Sequence, residues 1–421
     1  MPLPPNLAPN LPPILAPLRA DARWYATGYL AMFASSFGQT FFVALSGNDI
    51  RAAFSLSAGD FGLIYTAVTL GGALLLALTG GLVDRMPVTR VLAFTLPAFA
   101  AGAVLTGTAT HLLQLIPGLL LLRFCGQGMM VHLAYTTIGR WFSAGRGRAV
   151  SIAALGLNTG QALLPLGWVA LSGAIGWHLG WIVAAGLLLL LWPVLARLAA
   201  RDRQAAATDP SATASVIRHW SRAEVLRDPC FYLLLAGMLP PAFISNTIFF
   251  HQTSLAAARG WAPEVFASAF TLYAVIAIGN VLLSGHLIDR AGARRLLPVY
   301  LLPFGAACLV LAVVDAPWSA FAFMLLYGIT DGISLTLFGS LWPEVYGTRH
   351  LGAVRGVVVA AMVLAAAAGP GIAGLLVDAG IPLPWLIAAM GLYCCLICPV
   401  LALTVRRVSA RLAAEGGGPA R

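Results

Sequence analysis

The chain has 421 residues, of which 60% are hydrophobic and only 10% charged, and its mean hydropathy is +0.87. Soluble globular proteins average about 25% charged residues, so a soluble fold of this composition could not cover its surface with polar groups. The net charge is +10, and all 25 basic residues are arginine. The composition therefore predicts an integral membrane protein and excludes any mechanism that needs a lysine.

Apolar stretches recur along the chain at the length that a membrane-spanning helix needs, about 20 residues. Six of them precede a polar segment that contains RDRQAAATDPSATAS, and six follow it. The pattern predicts an all-α integral membrane protein with twelve spanning helices in two halves. The predicted spans are 24–46, 61–82, 89–110, 112–138, 149–173, 178–199, 230–253, 264–288, 296–314, 317–341, 354–377 and 383–405.

The positions of the arginines indicate the orientation of the chain. They concentrate in the tails, the central linker and alternate loops, and of the loop arginines only Arg51 and Arg259 fall on the other side. Since cytoplasmic loops are enriched in Arg and Lys, we expect a multi-pass protein of the cell (inner) membrane with both termini in the cytoplasm. The expected parts are a tail 1–23, a half 24–199, a linker 200–229, a half 230–405 and a tail 406–421.

One short phrase follows the second span of each half: GGLVDRMPVTR begins at Gly80 and GHLIDRAGARR begins at Gly285. With this duplicated phrase the chain resembles, over residues 24–405, the major facilitator superfamily of secondary transporters, whose motif there is G-x-x-x-D-R-x-G-x-R-R. The second copy fits this motif, whereas the first has Pro87 in place of the loop glycine and Thr89 in place of one basic residue.

The resemblance implies two pseudo-symmetric six-helix halves, and it implies that the duplicated phrase is a gating latch at the cytoplasmic face. Asp84 would face the start of helix 11 near Arg355, and Asp289 would face the start of helix 5 near Arg148. The alternative is that these are ordinary loops whose positive charge only sets the topology. The expected latch residues are Gly80, Asp84, Arg85, Arg90, Gly285, Asp289, Arg290, Arg294 and Arg295.

A second phrase, GPGIAGLLVD from Gly369 to Asp378, lies in the eleventh span. It resembles a phrase of the monocarboxylate and oxalate–formate exchanger branch, which implies an organic anion as substrate. Its match to the dinucleotide motif G-x-G-x-x-G is accidental because no strand precedes it. Glycines for close helix packing and a proline hinge explain the phrase better. Helix 8 departs from the monocarboxylate pattern, since its core holds Tyr273 and Asn280 but no charge.

Charged side chains inside a spanning helix are costly and indicate function by default. Arg123 lies midway along the fourth span and is expected to bind a substrate anion or to take part in proton-linked gating; its alternative role is a structural ion pair or a snorkelling side chain. Asp331 lies in the tenth span with Tyr327 on its face and is the candidate proton carrier. The alternative for Asp331 is a capped or paired carboxylate opposite Arg123 or another donor.

Several uncharged polar residues complete the candidate site. The amides could bind substrate across the pseudo-symmetry axis, or they could join helices by hydrogen bonds worth about 0.6 kcal/mol each. His251 could be a pH-sensitive gate near the outer end of the seventh span. Besides Arg123, the expected substrate-binding residues are Gln39, Asn158, Gln161, Asn246, Tyr273, Asn280 and Tyr327, and the expected proton-coupling residues are Asp331 and His251.

These features together predict a secondary active transporter of a small solute, such as the organic anion of a monocarboxylate, which works by alternating access and is driven by protons or by another gradient. The expected partners are a small-molecule substrate, protons and the lipid bilayer, with no nucleic acid, no cofactor or metal, and a monomeric state. An exporter of drugs or toxic compounds is the first alternative. A membrane-embedded enzyme would need clustered catalytic residues and a sensor would need a soluble output domain, and the sequence indicates neither.

Overall fold

The computed structural model describes residues 21–142, 146–200, 220–347 and 350–415. These ranges are helical apart from short turns, and they contain no β-strand. Side chains are described at most, but not all, of these positions. We number the twelve long helices α1–α12 and describe each half of the molecule in turn.

The first half begins with a broken helix, α1, over residues 22–54, and α4 is likewise a composite over residues 112–141. Helices α5 and α6 form one continuous stretch, Arg146–Ala199, which turns at Gly176 with a φ of 77°. Only glycine adopts that φ without strain, so it connects two helices with almost no loop. The helices between are α2 Ala58–Thr79 and α3 Val88–Gly107, with the short helix Leu82–Arg85 between them.

The second half repeats this order after a short helix, Arg222–Arg227. Helix α7 consists of Pro229–Met238 and Pro240–Ala258, and the short helix Ala293–Leu296 precedes α9. The remaining helices are α8 Glu264–Ala291, α9 Leu302–Val313, α10 Trp318–Tyr346, α11 Leu351–Asp378 and α12 Leu383–Glu415. Helix α12 therefore continues past the predicted end of the last span at residue 405.

Length and apolar composition identify seven of the described helices as able to cross a membrane, or eight when the two parts of α1, bent by 43°, count as one span. One of the seven is the stretch Ala149–Ala199, which contains both α5 and α6. The apolar parts of α8 and α9 are shorter than the spans counted above. Helix α10 brings the number of long helices in the described residues to twelve. The all-α, twelve-helix fold class predicted from the sequence is confirmed.

Two helices of the first half depart from regular α-helix at the same depth. In α1 the chain becomes extended at Gln39, with φ −78° and ψ 154°, and in α4 residues Arg123–Met130 form a π-helix. The two irregular segments cross in direct backbone contact, because a Cβ atom on Gly126 would lie 2.6 Å from Gly38 Cα. Irregular backbone of this kind, inside a membrane protein, is found where helices line an internal site.

The two ends of the helix bundle differ in how the halves meet. Arg23 bonds to the carbonyl of Leu198 and Arg411 pairs with Asp228, so the ends of each half lie together on one side, which we call the terminal face. The opposite side is the distal face. Between described residues, the hydrogen bonds that join the halves lie from mid-membrane to the distal face, including Arg51 to Ser254 at 3.1 Å. The distal face is therefore closed.

Candidate substrate and proton site

Asp331 lies midway along α10 and is held by two tyrosine hydroxyls. Tyr273 of α8 donates to its Oδ2 at 2.9 Å, and Tyr327, one turn earlier on α10, donates to its Oδ1 at 3.2 Å. The two tyrosine rings stack with centroids 5.2 Å apart and are buried, whereas Asp331 is only half-buried. The carboxylate is thus held by two neutral donors and not by Arg123, and its role as a proton carrier stays a prediction.

The first half faces this carboxylate with two further polar residues. Tyr135, in the last turns of α4, lies within electrostatic range of Asp331, and its side chain is 39% exposed. Gln161 of α5 lies beside Tyr273, and its amide oxygen has no hydrogen-bond partner among the described residues. The structure therefore brings Gln161, Tyr273, Tyr327 and Asp331 together between the halves, and their contact with substrate stays a prediction.

Arg123 occupies a separate cluster in the first half, at the crossing of α1 and α4. It is 2% exposed, and its Nε donates to Thr69 Oγ1 at 3.0 Å while Nη1 donates to the carbonyl of Gly38 at 2.8 Å. The guanidinium also lies over the ring of Tyr65, 4.8 Å from its centroid. Among the described residues no carboxylate pairs with Arg123, so a buried positive charge is balanced only by neutral groups.

Helices α1 and α7 are joined by a hydrogen bond beside the break in α1. Thr40 Oγ1 donates to Asn246 Oδ1 at 2.5 Å. The neighbouring Gln39 contributes the extended backbone of the helix break. Asn246 therefore joins two helices, and substrate contact by Gln39 and Asn246 stays a prediction.

Two other predicted residues have structural partners or lie outside the cluster. Asn280 donates from its Nδ2 to the carbonyl of Ile276 at 3.0 Å, on its own helix, and so does not join the cluster. Asn158 lies on α5, half-buried, three residues before Gln161. These positions stay predictions as far as substrate contact is concerned.

His251 lies near the distal face rather than beside Asp331. Its Nε2 is 3.2 Å from the carbonyl of Pro370, in α11, and the side chain is 3% exposed. With Arg51 and Asp378 it lines a cavity of about 630 Å³ at the distal face, formed by both halves. If His251 takes part in proton coupling, it does so at the closed end and not within the central cluster.

The predicted latch is described only in part. The side chains of Asp84, Gly285, Asp289, Arg290, Arg148 and Arg355 lie outside the described side chains. Arg85, Arg90 and Arg295 are exposed, and Gly80 is buried, with its carbonyl 3.1 Å from His132 Nε2.

Arg294 has a partner that the sequence reading missed. Glu344, near the end of α10, accepts from Arg294 Nε at 2.5 Å and from the backbone N–H of Ala293 at 3.0 Å. An acid near a helix end on the arginine-rich side is the sequence signal for this pair. This ion pair connects the second copy of the repeated phrase, GHLIDRAGARR, to α10 of the same half.

Comparisons with known proteins agree with this geometry. The family model described as Major Facilitator Superfamily matches residues 28–256 and 241–420. An "MFS-type transporter" of Gibberella moniliformis (strain M3125 / FGSC 7600) is 24% identical over 262 residues, a stretch that covers 60% of this chain and only 60% of that relative's length.

Two solved structures show the same fold. Both are of a bacterial homolog to the human lysosomal transporter Spinster, in inward-facing unoccupied and inward-facing occupied conformations. Each is 17% identical with a TM-score of 0.67, and the alignments cover 96% of this chain and 100% or 99% of the other. The chain belongs to the Major Facilitator Superfamily, a family of membrane transporters and not of enzymes.

Proposed function

We propose that this protein is a secondary active transporter that moves a small organic solute by alternating access and couples the movement to protons. The observation that carries the proposal is the half-buried carboxylate of Asp331, which lies between the two halves in the middle of the membrane. A charge at this depth is costly and needs a functional reason. Because the described hydrogen bonds between the halves lie from mid-membrane to the distal face, we expect the proposed site to open toward the terminal face.

The two tyrosine hydroxyls suit Asp331 to the role of proton carrier. Each carboxylate oxygen accepts one hydrogen bond, from Tyr273 or from Tyr327, and retains a second lone pair. A proton can therefore bind without breaking either bond. Protonation removes the buried charge, which lowers the cost of moving the carboxyl into a closed, water-poor state.

We propose a small organic anion, such as a monocarboxylate, as the substrate class. Arg123 supports this, because the described residues offer its buried guanidinium only neutral acceptors, and a guanidinium can bind an additional anion. The monocarboxylate-like phrase of α11 points the same way. In the membrane we expect both termini on the cytoplasmic side of the inner membrane, and we expect a monomer.

A second candidate is the export of a cationic, aromatic drug-like compound. The stacked rings of Tyr273 and Tyr327 beside the carboxylate of Asp331 favour it, because a carboxylate flanked by aromatic faces attracts organic cations. The two candidates differ in which charged residue meets the substrate. They are separated by the charge of the compounds that the protein transports.

The test is transport by purified protein in proteoliposomes with an imposed pH gradient, using panels of radiolabelled carboxylates and of cationic aromatic compounds. We expect uphill accumulation of a carboxylate that collapses when the gradient is dissipated. Asp331→Asn should abolish uphill accumulation but keep exchange at equal pH. Ser334→Ala is the matched control, since Ser334 lies one turn away and, among the described residues, its hydroxyl bonds to the carbonyl of Thr330 in its own helix.

Wild-type uphill transport by Asp331→Asn would remove Asp331 from proton coupling. Accumulation that ignores the pH gradient would contradict proton coupling altogether. Transport of cations and not of carboxylates would replace the first substrate class by the second.

A further inference from the structure

The phrase GPGIAGLLVD of α11 ends in a carboxylate that reaches the other half of the molecule. Asp378 accepts three hydrogen bonds from the start of α2: from Ser57 Oγ at 2.6 Å, from the N–H of Gly59 at 2.7 Å and from the N–H of Ala58 at 3.2 Å. The first N–H groups of a helix have no partner within the helix and carry partial positive charge. Asp378 thus caps α2 from across the boundary between the halves.

Ser57 connects this contact to the cap of its own helix. Its hydroxyl oxygen accepts from the N–H of Asp60 at 3.0 Å, and the Asp60 carboxylate accepts from the N–H of Ser57 at 3.2 Å. The same hydroxyl donates its hydrogen to Asp378. The N-terminal end of α2 is therefore ordered by its own capping box. We expect it to keep this conformation when the contact with Asp378 breaks.

Below the cap, α2 and α11 pack along glycines. A Cβ atom on Gly62 would lie 2.7 Å from the carbonyl of Pro370 and 3.0 Å from Gly371 Cα. A Cβ atom on Gly374 would collide with the carbonyl of Ala58. Thr66 adds a bond across the seam, to the carbonyl of Ala367 at 2.7 Å. Smooth backbone surfaces in close contact can separate and re-form without rearranging side chains.

We propose that Asp378 and this glycine seam form a distal latch, which holds the distal face closed and must release α2 each time the transporter opens to that side. The inference rests on the proposed alternating-access cycle. The latch is one-sided: the pseudo-symmetric contact would involve the end of α5, and the residues there, SGAIGW from Ser172 to Trp177, include no acid. Release of Asp378 therefore frees the distal face on the side of α2 and α11, and no equivalent acid acts at the end of α5.

The test is the distance between spin labels in the full-length protein, with the six native cysteines replaced. Labels on the exposed Ala53 and Ala379 report the distal face, and labels on the exposed Ala200 and Ala410 report the terminal face. Asp378→Asn keeps the size of the side chain and removes its charge. We expect the ratio of distal-open to distal-closed molecules to rise about threefold to tenfold, the range for an exposed charge-assisted cap. The terminal-face distance should shorten in the same fraction of molecules.

Gly374→Leu should open the distal face by a steric route, and Gly356→Leu in the same helix is its control, because Gly356 is exposed and a Cβ atom there would meet nothing within 4 Å. Unchanged distances in Asp378→Asn would overturn the carboxylate latch, whatever Gly374→Leu does. A longer distal distance without a shorter terminal one would show local loosening and would also overturn it. The measurement needs no substrate, so failure of the proposed transport activity is seen separately, in the proteoliposomes.

Discussion

The ion pair between Asp228 and Arg411 is the interaction whose removal we expect to destabilise the second half most clearly. Asp228 caps the start of α7, where its Oδ1 accepts from the N–H of Cys230 at 3.0 Å. Its Oδ2 accepts from Arg411 Nη1 at 2.7 Å and from the hydroxyl of Tyr346 at 2.9 Å. The guanidinium of Arg411 lies over the ring of Trp220, 4.4 Å from its centroid, so one carboxylate joins α7, α10, α12 and the end of the linker.

The magnitude follows from these contacts. Asp228→Asn keeps the cap on Cys230 but replaces the charge-assisted bonds to Oδ2, each of which is typically worth about 1.5–3 kcal/mol. Breaking a fully buried ion pair costs about 3–5 kcal/mol. The side chain of Arg411 is 22% exposed and is partly resolvated, so we expect a loss of about 2 kcal/mol. Arg406→Gln, at an exposed position of the same helix, should cost less than about 0.5 kcal/mol.

The dependence on pH provides the sharper assay. Burial raises the pKa of Asp228, but the bonds from Arg411, Cys230 and Tyr346 and the charge of Arg411 together outweigh it, and the pKa lies below the ordinary value of 3.8. A lowered pKa in the folded state stabilises the protein fully above the unfolded value, and this stabilisation is lost as the pH falls through the folded value. The difference in thermal midpoint between the wild type and Asp228→Asn should therefore stay constant from pH 7 to about pH 5 and shrink below pH 3.8.

The assay is thermal unfolding in detergent, followed by light scattering, at a series of pH values. A wild-type and an Asp228→Asn midpoint that coincide at pH 7 would refute the energetic argument. A difference that persists unchanged well below pH 3.8 would show that the effect comes from packing and not from the charge.

Three further perturbations address the central site. Gly126→Ala should destabilise the protein by about 1–3 kcal/mol, because the new methyl group would lie 2.6 Å from Gly38 Cα, whereas Gly167→Ala, which meets nothing within 4 Å, should have little effect on the thermal midpoint. Arg123→Gln should raise the KM for a carboxylate substrate at least tenfold in proteoliposomes, and equal KM values would show that Arg123 does not meet the substrate. Tyr327→Phe removes one of the two hydroxyls on the coupling carboxylate and should lower proton-driven accumulation more than exchange at equal pH; an equal loss in both assays would assign Tyr327 to substrate binding instead.

The number of spans and their grouping in two halves could be predicted because both follow from composition averaged over about 20 residues. The boundary between the fifth and sixth spans, expected between residues 173 and 178, agrees with the turn at Gly176. The carboxylate of Asp331 could also be identified, since an isolated acid within an apolar stretch stands out without any structure. Its tyrosine neighbour one turn away followed from helix periodicity.

The remaining parts of the site depend on local departures from that periodicity. Residues Arg123–Met130 form a π-helix, and α1 breaks at Gln39, so spacing rules for a regular α-helix do not predict which side chains meet. Beside this break, Thr40 bonds to Asn246. The contact of Asp378 with Ser57 joins residues that lie far apart in the chain, and no pattern within either segment indicates the other.

The break in α1 has an electrostatic consequence for Arg123. Because the chain is extended at Gln39, the first part of α1 ends inside the membrane, and the carbonyl of Gly38 points at the guanidinium. The carbonyl end of a helix carries roughly half a negative elementary charge. This dipole offsets part of the charge of Arg123, and it neither titrates nor leaves. In the proposed transport cycle it therefore stabilises the guanidinium while no substrate anion is bound.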